Sequence, residues 1–103
     1  MILVRFVCQA KFGTASDVVA GFKRSNAITR TVTGPNVRVR LLTDLSGAFD
    51  TVVQELELAS LAEWERLRAV IVSNPEVQDA EASLPDLIVA GQTEYYTVEA
   101  DWR

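Results

Sequence analysis

The chain has 103 residues, 49% hydrophobic and 23% charged, the balance of one ordinary globular domain rather than a disordered segment. A net charge of −4 and a pI of about 4.7 argue against a nucleic-acid backbone or an anionic membrane as partner. With no histidine and one cysteine, the chain lacks the commonest general base and metal ligand, and it cannot form an internal disulfide.

Residues 1–12 alternate: Ile2, Val4, Phe6, Cys8, Ala10 and Phe12 are apolar, while Leu3, Arg5, Val7, Gln9 and Lys11 are mixed. This pattern predicts a strand with one core face. The apolar start is cut by Arg5, too early for a signal peptide, and no apolar run is long enough to span a bilayer. A single cytoplasmic domain over 1–103 is the expectation. Gly13 ends the strand, and Thr14 is placed to cap a helix with Asp17 in its first turn. Ala15, Val18, Val19 and Phe22 share one helical face, Gly21 weakens the helix, and its end falls near residues 26–30.

Gly34-Pro35-Asn36 reads as a turn, followed by an alternating strand over 37–43. Leu45-Ser46-Gly47-Ala48 reads as a hairpin connection into a third strand over 49–59. Ser60-Leu-Ala-Glu63 is a capping box, opening a helix whose buried stripe is Leu61, Trp64, Leu67 and Ile71. Asn74-Pro75 and Ser83-Leu84-Pro85 each read as a cap with an early proline. A last strand follows over 92–101, with Tyr96, Val98 and Ala100 on its core parity and Thr93, Tyr95, Thr97 and Glu99 on the other.

The order β-α-β-β-α-β implies an α+β, ferredoxin-like split βαβ fold: a four-stranded antiparallel sheet with helices on one face. A turn centred on Ser46-Gly47 places Arg38 opposite Glu55, Arg40 opposite Val53, Val37 opposite Leu56 and Leu41 opposite Val52. Charge is also divided along the chain. Residues 1–40 carry seven basic residues against one acid, and residues 41–103 carry three against thirteen. The sheet face away from the helices would hold Leu3, Arg5, Val7, Gln9, Arg38, Arg40, Leu42, Val53, Glu55, Glu57, Tyr95, Thr97 and Glu99. That face is too apolar for solvent alone and too charged for a dry core. A second copy packed against it would close a barrel and reduce the edge-strand liability.

The segment from Leu41 to Val53, followed by Glu55-Leu-Glu57 and Ser60-Leu-Ala-Glu-Trp-Glu65, resembles the dimeric α/β-barrel superfamily. Within it the sequence is most similar to NIPSNAP-like proteins and their small bacterial relatives. The ending Gly91-Gln-Thr-Glu-Tyr-Tyr-Thr-Val-Glu99 fits the last strand of that pattern. The resemblance covers nearly the whole chain. It implies a homodimer, or a higher homo-oligomer, that binds a small organic molecule in a cavity on the sheet face. Two other readings stay open: a cofactor-independent monooxygenase or isomerase, and a purely structural interaction module. Superfamily enzymes that use histidine or haem have no counterpart residues here. No metal, cofactor, nucleic acid or membrane is expected.

The candidate ligand residues are Arg38, Arg40, Glu55, Glu57 and Tyr95, and Glu55, Glu57 and Tyr95 double as weak catalytic candidates. Two carboxylates on one strand face divide acid and base roles only if their environments differ. Structural salt bridging with the two arginines is the plainer reading. Tyr95 either presents its hydroxyl to a cavity or covers the sheet. Trp64 reads as helix-to-sheet packing, and Cys8 as a core thiol with no histidine to activate it.

Overall fold

A computed structural model describes residues 1–34 and 36–103, so Pro35 of the expected turn lies outside the described residues. The elements in chain order are β1 (Ile2–Ala10), α1 (Ala15–Thr33), β2 (Arg38–Thr43), β3 (Thr51–Leu58), α2 (Leu61–Ser73), α3 (Pro75–Ala80), α4 (Leu84–Leu87) and β4 (Ile88–Thr97). The strands form one sheet in the order β2-β3-β1-β4, with every neighbouring pair antiparallel. This is the ferredoxin-like arrangement, with a short helical pair inserted before the last strand.

The even residues of β1 and β3 face the helices. Val4, Leu56 and Leu58 pack with Trp64 and Leu67 of α2. Ala10 and Val52 pack with Val18 and Phe22 of α1 and Leu84 of α4. Gly21 sits where α4 approaches α1: a Cβ there would lie 2.8 Å from Leu84 Cδ2. The residue that weakens the helix is therefore what permits this contact.

Local signals account for most boundaries. Ser60 accepts from the Glu63 amide at 3.2 Å, and Asn74 accepts from Glu76 and Val77 at 2.9 and 3.3 Å. Three helix ends differ from expectation: Ser83 stands before α4 with Pro85 in its first turn but makes no side-chain cap bond, and both ends of α1 depart. Thr14 does not cap α1, because its hydroxyl donates to the Lys11 carbonyl. Asp50 takes that role from the other side of the fold, accepting from the amides of Gly13 (2.8 Å) and Ala15 (3.2 Å). Asp50 itself has φ 59°, a left-handed conformation that aspartate tolerates better than most residues. The helix also runs on to Thr33, past the expected end. Thr29 and Thr33 return their hydroxyls to carbonyls four residues back, and Thr31 bonds Ile28, so these β-branched residues sit in the last turns with their polar groups satisfied.

The hairpin register is two residues away from the expected one. Arg38 faces Glu57, Arg40 faces Glu55, Val39 faces Leu56, Leu41 faces Gln54 and Leu42 faces Val53. The expected Arg38–Glu55, Arg40–Val53, Val37–Leu56 and Leu41–Val52 partners are not formed. The cause is the loop: β3 starts at Thr51, not Phe49, and Asp44 closes the connection by accepting from the Thr51 amide at 3.0 Å. A shift of two keeps every side chain on its expected face.

In β4 the difference is one residue, and that changes faces. Leu3 pairs with Tyr96, Val4 with Tyr95 and Arg5 with Glu94. Tyr95 therefore lies on the helix side, and Tyr96 takes the outer face. Phe12, expected on the core parity, lies beyond β1, is 85% exposed, and meets Phe49 edge-on with ring centroids 6.1 Å apart.

Candidate functional site

The two faces of the sheet offer two different chemistries. On the outer face, pairing across the strands aligns Glu94, Arg5, Glu55 and Arg40 in one row, from β4 through β1 and β3 to β2. Arg5 Nη1 meets Glu94 Oε1 at 2.7 Å and Arg5 Nε meets Glu55 Oε2 at 3.3 Å; Arg40 Nη2 meets Glu55 Oε1 at 2.5 Å. Both oxygens of Glu55 are thus taken by guanidinium groups. One residue pair along, Arg38 reaches Glu57 at 3.7 Å. The hydrogen bond from Arg5 holds the Glu94 carboxyl below its usual range, and the same bond raises the Arg5 guanidinium. Glu55 is only 8% exposed although no helix among the described residues covers the face, because it lies on an inner strand flanked by two long arginines. Leu3, Val7, Leu42, Val53 and Tyr96 complete the face.

Of the sequence candidates, Arg38, Arg40, Glu55 and Glu57 are brought together here as a salt-bridged network. Tyr95 is not with them. Its hydroxyl lies on the opposite face of the sheet, where it accepts from Trp64 Nε1 at 3.4 Å. Within one chain, Tyr95 and the two glutamates lie on opposite faces of the sheet. Glu94, which the sequence reading did not single out, holds the end of the charged row.

On the helix side, a cavity of about 250 Å³ lies between the sheet, α1 and α2. Phe6, Phe22, Leu56, Trp64 and Leu67 give it apolar walls, with the rings of Phe6 and Trp64 5.8 Å apart. Gln54 projects from β3 into this apolar setting, and Asn26 Nδ2 donates to its Oε1 at 3.0 Å. Each helix lines the cavity at a spacing of three and four residues: Asn26, Thr29, Arg30 and Thr33 from α1; Trp64, Leu67, Arg68 and Ile71 from α2. That spacing puts each set on one helical stripe. Cys8 also lines the cavity, and burial pushes its thiol pKa up. It is half-buried rather than sealed in the core.

The signal that would have located this cavity was Gln54, a polar residue between Val52 and Leu56 on the core parity of β3. Buried amides must be hydrogen-bonded, so a partner on a covering helix was implied. Among the described residues no group of three or more histidine, cysteine, aspartate or glutamate side chains is placed to hold a metal ion, and no helix is long and apolar enough to cross a membrane.

No protein-family model and no curated protein matches the chain. Solved structures do match. A NIPSNAP-like domain protein from Burkholderia xenovorans superposes with a TM-score of 0.84 at 22% identity, covering 99% of this chain and 88% of that one. A NIPSNAP domain protein from the same organism gives 0.83 at 13% identity, covering 100% and 99%. SnoaB, a cofactor-independent oxygenase from Streptomyces nogalater, gives 0.70 at 13% identity, covering 97% and 94%. The chain thus has the ferredoxin-like fold shared by these NIPSNAP-domain proteins and antibiotic biosynthesis monooxygenase-like proteins.

Proposed function

We propose that the chain binds a small organic molecule in the cavity between its sheet and helices, and does so as one half of a homodimer. The observation that carries this reading is the cavity itself: about 250 Å³ with apolar walls and a few convergent polar groups, the composition of a ligand pocket. Trp64 forms part of the wall, so its fluorescence is the natural reporter. In a Trp102→Phe background, which leaves Trp64 as the sole indole, small aromatic or aliphatic compounds should shift its emission saturably. Ser25→Leu, which fills the buried lining, should abolish that response while the chain still unfolds cooperatively. A response unchanged in Ser25→Leu would refute the site.

The outer face supports the dimer. Its charged row alternates in sign from β4 to β2, so a copy turned by a two-fold axis parallel to the strands presents the row reversed. Each acid then meets a base, the self-complementarity that a two-fold interface requires. Leu3, Val7, Leu42, Val53 and Tyr96 supply the apolar area. Light scattering across a dilution series should give a two-chain species into the low micromolar range, and a folded monomer at high micromolar concentration would contradict it.

A second reading, a cofactor-independent oxygenase, is favoured by the fold shared with SnoaB. Among the described residues lining the cavity, the ionisable ones are Cys8, Arg30, Arg68 and Glu81. With the thiol pKa pushed up and the arginines cationic, a proton-abstracting base would have to be Glu81. Oxygen uptake with an oxidisable phenol that binds the cavity, lost in Glu81→Gln, would favour this reading over binding alone.

A further inference from the structure

The cavity has an apolar body and a cationic rim. Arg30 reaches it from α1 and Arg68 from α2, each one helical turn beyond another lining residue, Asn26 and Trp64. Among the described residues neither guanidinium is ion-paired, whereas Arg5, Arg38, Arg40 and Arg66 all are. Glu81 also lines the cavity, so two positive charges face one negative, and one positive charge is left over. A guanidinium at the edge of an apolar space gains most from a planar anion that takes two of its N–H groups together. An apolar cavity of about 150 Å³ holds a benzene ring, so on that scale 250 Å³ takes about ten non-hydrogen atoms.

We propose that the ligand of this cavity is an amphipathic organic monoanion. Its body is a single aromatic ring or a medium-length alkyl chain that lies against Phe22, Leu56 and Trp64. Its carboxylate lies at the rim between Arg30 and Arg68. The proposal rests on the preceding reading that the cavity takes a ligand, and it adds the chemical class. Glu81 sets the limit on charge: a dianion would meet its carboxylate, and a neutral compound would leave one positive charge uncompensated.

Three matched pairs of probes test this: benzoate and benzamide, phenylacetate and phenylacetamide, octanoate and octanamide. Each pair differs in charge at nearly constant shape. Binding is read by Trp64 emission in the Trp102→Phe background. At least one acid should bind about tenfold or more tightly than its amide, as a charge-assisted hydrogen bond requires. That preference should shrink as salt rises. It should fall to near one in the double variant Arg30→Gln, Arg68→Gln, and widen in Glu81→Gln. Because both arginines are exposed, the double variant should fold, and circular dichroism verifies this. If it does not, the salt dependence and Glu81→Gln answer the same question. An amide bound as tightly as its acid overturns the anion proposal and leaves the cavity reading standing. An acid preference that survives loss of both arginines also overturns it. No binding by any of the six probes removes the cavity reading, and the proposal with it.

Discussion

The salt-bridged row on the outer face makes a quantitative demand on the hairpin register. Arg40 Nη2 lies 2.5 Å from Glu55 Oε1, and Arg38 reaches Glu57 rather than Glu55. Two double-mutant cycles separate this register from the one that the hairpin residues first suggest. The first combines Arg40→Met with Glu55→Gln, and the second combines Arg38→Met with Glu55→Gln. At about 4 Å, unit charges attract by about 1 kcal/mol in water and about 4 kcal/mol at an effective dielectric of 20. The Arg40 side chain is 46% exposed and that of Glu55 is 10% exposed, so solvent screens one partner well and the coupling should lie near the lower bound, about 1 kcal/mol. Arg38 sits diagonally from Glu55, about 7–8 Å away along the ladder, and its coupling should stay below about 0.5 kcal/mol. Urea unfolding at fixed protein concentration reads both cycles, which keeps any subunit linkage constant. A larger coupling for Arg38 than for Arg40 would refute the register. A coupling for Arg40 above about 2 kcal/mol would mean that Glu55 is desolvated beyond what one chain achieves, the mark of a covered face.

Three further outcomes are expected. Asp50→Ala removes the acceptor for two amides at the start of α1 and puts alanine at φ 59°; it should cost about 2 kcal/mol by thermal unfolding, with Asp50→Gly costing less because glycine accepts that backbone freely. Equal costs for the two would show that backbone conformation contributes nothing. Cys8, half-buried with its thiol pKa pushed up by burial, should react with a disulfide reagent more slowly in the native protein than in denaturant, and more slowly again when a ligand fills the cavity it lines; a ligand-independent rate would place the thiol outside the site. Glu94 has its carboxyl pKa lowered by the Arg5 hydrogen bond, so its stabilising contribution is present above the ordinary carboxylate range and is lost as pH falls through the lowered value. The stability gap between wild type and Glu94→Gln should therefore close on acidification, and a gap that widened would reverse the assignment.

The strands that carry one buried face were legible because burial leaves a period-2 record. Ile2 to Ala10 and Val52 to Leu58 show it, and the structure keeps their inward parity. The caps at Ser60 and Asn74 were legible for the same local reason, since each acceptor lies within three residues of its donors. The hairpin register was not, because it depends on where β3 begins. Asp44 and Asp50 decide that through bonds to Thr51, Gly13 and Ala15, and two of those partners lie over 30 residues away in the chain. An error of two residues then left every face intact, so the apolar pairing check could not detect it.

The last strand failed differently. Tyr95 and Tyr96 are 52% and 49% exposed, so an edge strand with both faces open carries no burial signal by which to choose between them. What fixes its parity is the partner strand. Arg5 on β1 takes a carboxylate on each side, Glu55 from β3 and Glu94 from β4, and only an odd–even pairing of β1 with β4 allows the second. The same pairing puts Gly91 opposite Cys8, where an added Cβ would come within 3.4 Å of the Val7 carbonyl. Charge pairing thus specifies an edge that hydrophobicity leaves undetermined. This has a consequence for the site. Since Tyr95 faces the helices and bonds Trp64, the aromatic hydroxyl belongs to the side of the sheet that has the cavity, and Glu55 and Glu57 belong to the opposite face. The polar groups that line that cavity include Gln54, Asn26, Arg30 and Arg68, three of them on helices, where the alternating pattern of the strands alone does not bring them to notice.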